Sequence, residues 1–217
     1  MPMTADQYNA AELAAGRLTQ AMLDVAGGTS AGVAAVQRKC GLTADGMAGP
    51  KTRLALAALV ADRTPIPTGR AGLESIYGKF NYKEGLGGRI QIDPSWVRAN
   101  IMSVKLHTGK QVQFHVLAAV EFAQLFAAAC ATSGYTPASV QTFVPRHTLW
   151  DPTKSLSLHS WGVAVDFDPP SNPMGGKNSK LRTPEGQAFV QVFADAGWTW
   201  GGAWSMKDDM HFQRAYS

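Results

Sequence analysis

The chain has 217 residues, enough to bury one sizeable core with a small second domain beside it. With 45% hydrophobic and 17% charged residues it has the composition of a globular protein, and its net charge of +4 is not clustered into the basic stripe of a nucleic-acid-binding protein. A mild positive charge is compatible with a polyanionic partner such as a bacterial cell wall.

No targeting segment is expected. The N-terminal segment lacks a basic stretch followed by an apolar one, and no apolar run is long enough to cross a membrane. We therefore expect a protein made in the cytoplasm without a signal peptide, with no membrane insertion. Cys40 and Cys130 are predicted to be two buried thiols, with an inter-domain disulfide as the alternative.

Short helices are predicted in the first sixty residues. Thr4 is a candidate cap for the first, Gly27 and Gly28 would end it, and Pro50 suits the first turn of the third. The predicted helices cover residues 4–24, 32–40 and 51–61. Residues 62–72 contain two prolines and are predicted to form an extended linker. A helical domain over residues 1–61 would thus precede a second domain over residues 73–217.

A turn-rich pattern lies between the second and third predicted helices and includes residues that flank it. It comprises Val36-Gln37, Gly41-Leu42, Asp45-Gly46, Gly49-Pro50, Thr52 and Leu54/Leu56. This segment resembles the repeat of small three-helix peptidoglycan-binding domains, although that family usually has an aromatic residue where Val36 stands. The alternative is a helical hairpin that serves only to pack on the next domain.

The second domain mixes strands and helices without regular alternation, which predicts an α+β fold and not a doubly wound sheet. Gly134 and Gly197 are predicted helix terminators, and Thr183-Pro184 is a predicted helix start. The predicted helices cover residues 115–132 and 186–196. The predicted strands cover residues 89–93, 111–114, 140–144, 162–167, 198–200 and 210–213.

The segment around His159 carries the main chemical signal. Gly162 suits a turn that enters a strand, and the alternation along that strand directs Asp166 away from the core side. Zinc accepts imidazole nitrogen and carboxylate oxygen, and a catalytic site takes three protein ligands. His211 is the natural third ligand, with Asp208 and Asp209 as nearby candidates for a general base.

These blocks resemble the VanY-like zinc peptidases, which are D-alanyl-D-alanine carboxypeptidases and L-alanyl-D-glutamate endopeptidases of bacteria and their phages. The similarity extends over roughly residues 80–217. It rests on Ser157, His159, Gly162, Ala164 and Asp166, then on the loop from Trp200 to Trp204, then on Asp208, His211 and Phe212. The resemblance implies a mixed α+β zinc peptidase domain of the hedgehog/DD-peptidase type with a central antiparallel sheet.

The resemblance also implies roles for individual residues. One Zn²⁺ would be held by His159, Asp166 and His211, and Asp208 would be the general base, with Asp209 as its competitor. Arg146 would steady the substrate carbonyl and its developing oxyanion. Ser157, Trp161 and Trp204 would bind substrate, although both tryptophans have packing roles as the alternative. His107, His115 and His147 are expected at the surface or at helix starts.

Peptidoglycan is the partner that the resemblance implies, and we expect a monomer. Asp in place of Glu at position 208 looks more like the endopeptidase and phage-lysin branch, which predicts cell-wall lysis by a phage-type L-alanyl-D-glutamate endopeptidase. Two alternatives are a D-alanyl-D-alanine carboxypeptidase and a non-catalytic wall-binding protein with a structural zinc.

Overall fold

Four helices form the N-terminal part of the chain in the computed structural model, which describes residues 2–63 and 65–215. They are α1 (Ala5–Ala14), α2 (Gln20–Asp24), α3 (Ser30–Lys39) and α4 (Pro50–Arg63). Thr4 caps α1, since its hydroxyl accepts the Gln7 N–H while the Gln7 side chain accepts the Thr4 N–H. The single helix predicted over residues 4–24 is wrong, because the chain turns at Gly16 with a φ of 68°.

Two buried polar side chains organise the turn between α3 and α4. The Asn9 amide donates to the Gly46 carbonyl and accepts the Ala48 N–H. Gln37 accepts the Gly46 N–H and donates to the hydroxyl of Thr52. The side chain of Gln37 in the turn pattern is therefore hydrogen-bonded inside the protein. It stabilises the turn because it accepts the Gly46 N–H in place of a backbone carbonyl.

The predicted linker is shorter than residues 62–72. Helix α4 continues to Arg63 and a further helix, α5 (Gly69–Tyr77), begins at Gly69, so the described connection consists of residues 65–68. Thr64 lies outside the described residues, as do Met1, Tyr216 and Ser217 at the outer ends of the predicted domains. The start of α5 was missed because its apolar face, with Leu73 and Tyr77, is recognisable only where it packs into the C-terminal core.

Two hydrophobic clusters accompany this division. The cluster of the helical part contains the buried side chains of Leu18, Met22, Val33 and Leu56. Val116, from the C-terminal part, packs into the same cluster. The boundary between the two predicted domains therefore includes direct apolar contact.

A four-stranded antiparallel sheet lies at the centre of the C-terminal part, with its strands in the spatial order Val140–Gln141, Ala164–Phe167, His211–Gln213 and Thr199–Trp200. Two hairpins precede it. The elements after α5 are β1 (Tyr82–Glu84), β2 (Ile90–Ile92), α6 (Pro94–Asn100), β3 (Ile101–Lys105), β4 (Gln111–His115), α7 (Ala119–Ser133), β5 (Val140–Gln141), β6 (Ala164–Phe167), α8 (Pro184–Asp195), β7 (Thr199–Trp200) and β8 (His211–Gln213). The predicted α+β class with a central antiparallel sheet is confirmed.

Aromatic packing covers one face of this sheet. Phe167 of β6 and Phe212 of β8 pack against side chains from α7 and α8, which include Phe122, Phe189 and Phe193. All five are fully buried, and burial of each phenylalanine stabilises the fold by roughly 1.5–3 kcal/mol. Because side chains alternate along a strand, the neighbours of Phe167 and Phe212 project from the opposite face.

Two predictions about the helical segments need correction. Helix α7 begins at Ala119 and not at His115, because His115 is the last residue of β4. Cys130 is buried and Cys40 is exposed, and both are free thiols, so the prediction of two buried thiols is wrong for Cys40. Among the described helices, none combines the length and the apolar character needed to cross a lipid bilayer.

Candidate metal centre

Strand register brings two of the three predicted ligands together. Asp166 of β6 lies directly opposite His211 of β8 in the antiparallel pair. Paired residues share a face of the sheet, so both side chains project from the face that the phenylalanines leave open. Gln141 of β5 pairs with Asp166 on its other side and extends this row.

The third ligand candidate enters from a short 3-10 helix before β6. His159 lies in that helix, Leu158–Trp161, whose first turn is capped by the Ser157 hydroxyl. Gly162 ends it with a φ of 64°. A Cβ at Gly162 would lie 3.0 Å from the backbone nitrogen of His115, whose N–H donates to the Gly162 carbonyl. Glycine is thus required both by backbone conformation and by space.

Three ligand atoms converge on one point. His159 Nε2 lies 3.1 Å from Asp166 Oδ1 and 3.3 Å from His211 Nδ1, and the last two atoms are 3.0 Å apart. Four-coordinate zinc with bonds near 2.0–2.1 Å separates its ligands by about 3.3 Å. The three side chains are buried and form the group that could hold a metal ion.

Hydrogen bonds behind the two imidazoles determine which nitrogens face inward without a proton. His159 Nδ1 lies 2.6 Å from the Thr142 carbonyl, to which it can only donate. His211 Nε2 lies 3.1 Å from the Gln213 side-chain oxygen, and Gln213 is oriented because its amide nitrogen donates to the Ala215 carbonyl. With both imidazoles protonated on these outer nitrogens, the lone pairs of His159 Nε2, His211 Nδ1 and Asp166 Oδ1 face one another. A cation stabilises this arrangement.

Charge and burial act in opposite directions at these residues. Burial alone would raise the pKa of Asp166, but the charges and hydrogen bonds of His159 and His211 hold it well below its usual range. Burial alone would lower the pKa of His211, but the hydrogen bond and charge of Asp166 raise it above its ordinary value. Without a metal, a proton on His211 can therefore take its place beside Asp166, and metal binding must release that proton.

The two neighbouring carboxylates have different surroundings. Asp209 is fully buried and accepts two 2.6 Å hydrogen bonds from Arg182, so it is committed to an ion pair. Asp208 lines the cavity beside His211, and its Oδ1 is buried without a hydrogen-bond partner. Burial raises the pKa of Asp208, with the charge of Asp166 adding to the rise. Of the two, only Asp208 lines the cavity of the candidate metal centre.

Arg146 also reaches this centre. Its guanidinium lies 3.7 Å from Asp166 Oδ2 and lines the same cavity. Ser160 holds the Arg146 backbone, because its hydroxyl accepts the Arg146 N–H and donates to the Arg146 carbonyl. A cation is thereby positioned beside the ligand carboxylate.

A cavity of about 400 Å³ opens over the centre. Ser157 and Trp204 line it, and the Trp204 ring lies 5.4 Å from that of His211. Trp161 does not line it, so its prediction as a substrate-binding residue is wrong. Trp161 is fully buried, packs against the tilted ring of Phe80 and donates its N–H to the Gly78 carbonyl.

The remaining histidines lie elsewhere. His107 is exposed as expected, whereas His115 and His147 are buried. His147 is bonded to the Lys154 carbonyl and the Glu84 carboxylate. His115 Nε2 donates to the Tyr77 carbonyl, and its Nδ1 accepts the Leu117 N–H. Both are satisfied core residues.

Sequence reasoning missed Gln213 and Thr142, the residues that fix the two imidazoles. The alternation of β8 contains a signal for Gln213, since a residue two places after His211 lies on the same face of a strand. Thr142 acts through its carbonyl, for which the side-chain identity carries no signal.

Residues 151–214 match a family model described as D-alanyl-D-alanine carboxypeptidase. The match supports a peptidase of this group. It covers all three ligand candidates and Asp208, and it begins after Arg146. No curated protein and no solved structure gives a significant match to the chain.

Proposed function

We propose that this chain is a zinc-dependent peptidase that hydrolyses the stem peptide of bacterial peptidoglycan. The observation that carries the proposal is the convergence of His159, Asp166 and His211 beside an unpaired carboxylate, Asp208, in one open cavity. Two nitrogen donors and one oxygen donor suit zinc, whereas calcium and magnesium prefer oxygen ligands. One ion per chain fits this set.

Zinc bound here would act as a Lewis acid on water and on the scissile carbonyl. Asp208 would accept a proton from the attacking water and return it to the leaving amine. Its raised pKa moves it towards neutrality, where a general base is most effective. Arg146 would donate to the oxyanion as charge develops on it, in a site where burial strengthens the interaction.

An endopeptidase differs from a carboxypeptidase because it must bind the substrate peptide on both sides of the scissile bond. A second cavity of about 260 Å³ adjoins the first, and Leu158, Trp204 and Gln213 line both. We propose that a bound peptide extends from the first cavity past Trp204 into the second, on the side of Arg70 and Leu73. This favours cleavage of an internal bond, which we propose to be L-alanyl-D-glutamate, as Asp at position 208 also suggests.

A D-alanyl-D-alanine carboxypeptidase is the second candidate, favoured by the description of the matching family. Mass spectrometry of digested sacculi separates the two. Release of free D-alanine indicates the carboxypeptidase, whereas new L-alanine and D-glutamate termini indicate the endopeptidase. Equal digestion with and without a chelator would contradict the metal assignment.

Asp208→Asn tests the catalytic role directly. We expect activity to fall by about 10²–10⁴-fold, because the general base is lost, while zinc content measured by mass spectrometry stays unchanged. Asp195→Asn, at an exposed position in α8, is the matched control and should retain activity. Full activity in a zinc-loaded Asp208→Asn protein would overturn the proposed role of Asp208, whereas a zinc-loaded wild type without peptidase activity would favour a structural zinc in a wall-binding protein.

We also propose that the helical N-terminal part binds the cell wall and that the protein acts as a phage-type lysin, as a monomer. A shallow cavity beside the turn of residues 41–52 is the surface available for wall binding. Co-sedimentation of the Asp208→Asn protein with purified sacculi measures that binding. No sedimentation above that of a protein without wall affinity would contradict it.

A further inference from the structure

Two arginines share one aromatic ring at the mouth of the cavity. Arg89 and Arg146 are partners in an isolated antiparallel bridge, and both guanidinium groups lie over Trp150, at 4.9 and 5.0 Å from the ring centroid. Like charges directly opposite each other destabilise a strand pair. The ring offsets part of this repulsion through cation–π attraction.

The backbone holds Trp150 in a conformation that ordinary residues avoid. Leu149 and Trp150 have φ values of 56° and 59°, and both residues are 43% exposed. Gly88 lies against this turn so closely that a Cβ there would be 2.2 Å from the Trp150 carbonyl oxygen. Such strain concentrates at functional sites, because the surrounding structure must enforce it.

The two cations differ in their partners. Arg146 has Asp166 at 3.7 Å and borders the metal centre. Arg89 is exposed and makes no ion pair with the side chains described in residues 2–60 and 65–215. Its guanidinium therefore presents free donors beside the cavity that the substrate enters. An anion is the ligand that would relieve the repulsion between the two arginines and satisfy these donors.

We propose that Arg89, positioned on Trp150, is a binding site for a carboxylate of the substrate. The proposal rests on the proposed peptidase function and adds a specificity determinant to it: the peptide carries a free carboxylate near its scissile bond. A stem peptide offers two sources of that group, the α-carboxylate of its γ-linked glutamate and its C-terminal carboxylate. Arg146 acts on the reacting carbonyl, and Arg89 selects the peptide.

The experiment uses three synthetic stem tetrapeptides with the zinc-loaded full chain. One has both carboxylates, one has the glutamate α-carboxylate as a carboxamide, and one has a C-terminal carboxamide. With the first peptide we expect Arg89→Gln to lower kcat/KM about tenfold, mainly through KM, because an interaction present in both ground and transition states is lost. Arg89→Lys should recover part of the loss, and Arg98→Gln, at another exposed arginine, should have no effect.

The amidated peptides identify the source. One of them should be a poor substrate for the wild type, with no further loss in Arg89→Gln, and its modified position marks the carboxylate that Arg89 binds. An equal effect of Arg89→Gln on all three peptides, or none on any, would overturn the proposal. If the wild type cleaves none of them, the proposed function fails, and calorimetric Kd values for the same peptides still test Arg89. An unchanged Kd in Arg89→Gln would then refute the carboxylate site.

Discussion

Replacement of Gln213 by Leu removes the hydrogen-bond acceptor behind His211. The Gln213 side-chain oxygen lies 3.1 Å from His211 Nε2, and both residues are buried. Without that acceptor the imidazole N–H has no partner and the tautomer with a free Nδ1 loses its support. Partners of this kind contribute roughly 10–100-fold to metal affinity. This corresponds to about 1.4–2.7 kcal/mol of zinc-binding free energy.

The assay is a competition titration of zinc against a chromophoric chelator. Gln213→Leu should raise the zinc Kd by about 10–100-fold, whereas Gln213→Glu retains an acceptor and should bind zinc about as well as the wild type. Gln113→Leu makes the same change at an exposed position in β4 and serves as the control. Circular dichroism of the metal-free proteins checks that all variants fold.

Two results would refute this reasoning. A wild-type zinc Kd in Gln213→Leu would show that the hydrogen bond does not position His211. An equal loss in Gln213→Leu and Gln213→Glu would show that the cavity around the side chain, and not its acceptor, determines affinity. Because Gln213 also lines the substrate cavities, the titration is performed without peptide.

Two further predictions concern stability. Burial lowers the pKa of His115 to about 4. Between pH 6.5 and 4 the unfolded chain therefore binds a proton at His115 that the folded chain does not bind. The contribution of neutral His115 to the free energy of unfolding is complete above pH 6.5, and about 3 kcal/mol of it is lost as the pH falls to 4. The free energy of unfolding from urea titrations at pH 7 and pH 5 should differ less in His115→Gln than in the wild type, with His107→Gln as the control. An equal change with pH in His115→Gln and the wild type would contradict the prediction. Gly162→Ala should destabilise the protein by about 1–3 kcal/mol and weaken zinc binding. The alanine would have a positive φ, and its Cβ would lie 3.0 Å from the backbone nitrogen of His115. Gly109→Ala has a positive φ but open space, so calorimetric unfolding that shows the same loss in both variants would exclude crowding as a cause.

Local chemistry was predictable where one stretch of chain determines it. The capping of α1 by Thr4, the end of α7 at Gly134 and the start of α8 at Thr183 all follow from backbone hydrogen bonding within a few residues. The face of β6 that carries Asp166 follows from alternation along the strand. The order His159, Gly162, Asp166 was therefore informative about a turn that enters a strand.

The linker and the position of Trp161 were not predictable in this way. Two prolines indicate an extended segment, but the surrounding residues become helical because α5 packs its apolar face into a core formed by distant strands. Trp161 lies two residues from His159, yet the short 3-10 helix turns it inward towards Phe80. Proximity in sequence to a ligand does not determine which way a side chain points.

By itself, the sequence determined the identity of the three ligand candidates and the kind of metal they suit. Only the tertiary structure decided that Asp208 and not Asp209 faces the centre, because Arg182, from another part of the chain, neutralises Asp209 in the interior. It also decided which imidazole nitrogens face inward, through Thr142 and Gln213. Ligand chemistry belongs to residue types, whereas proton positions and charge partners depend on which strands the fold brings side by side.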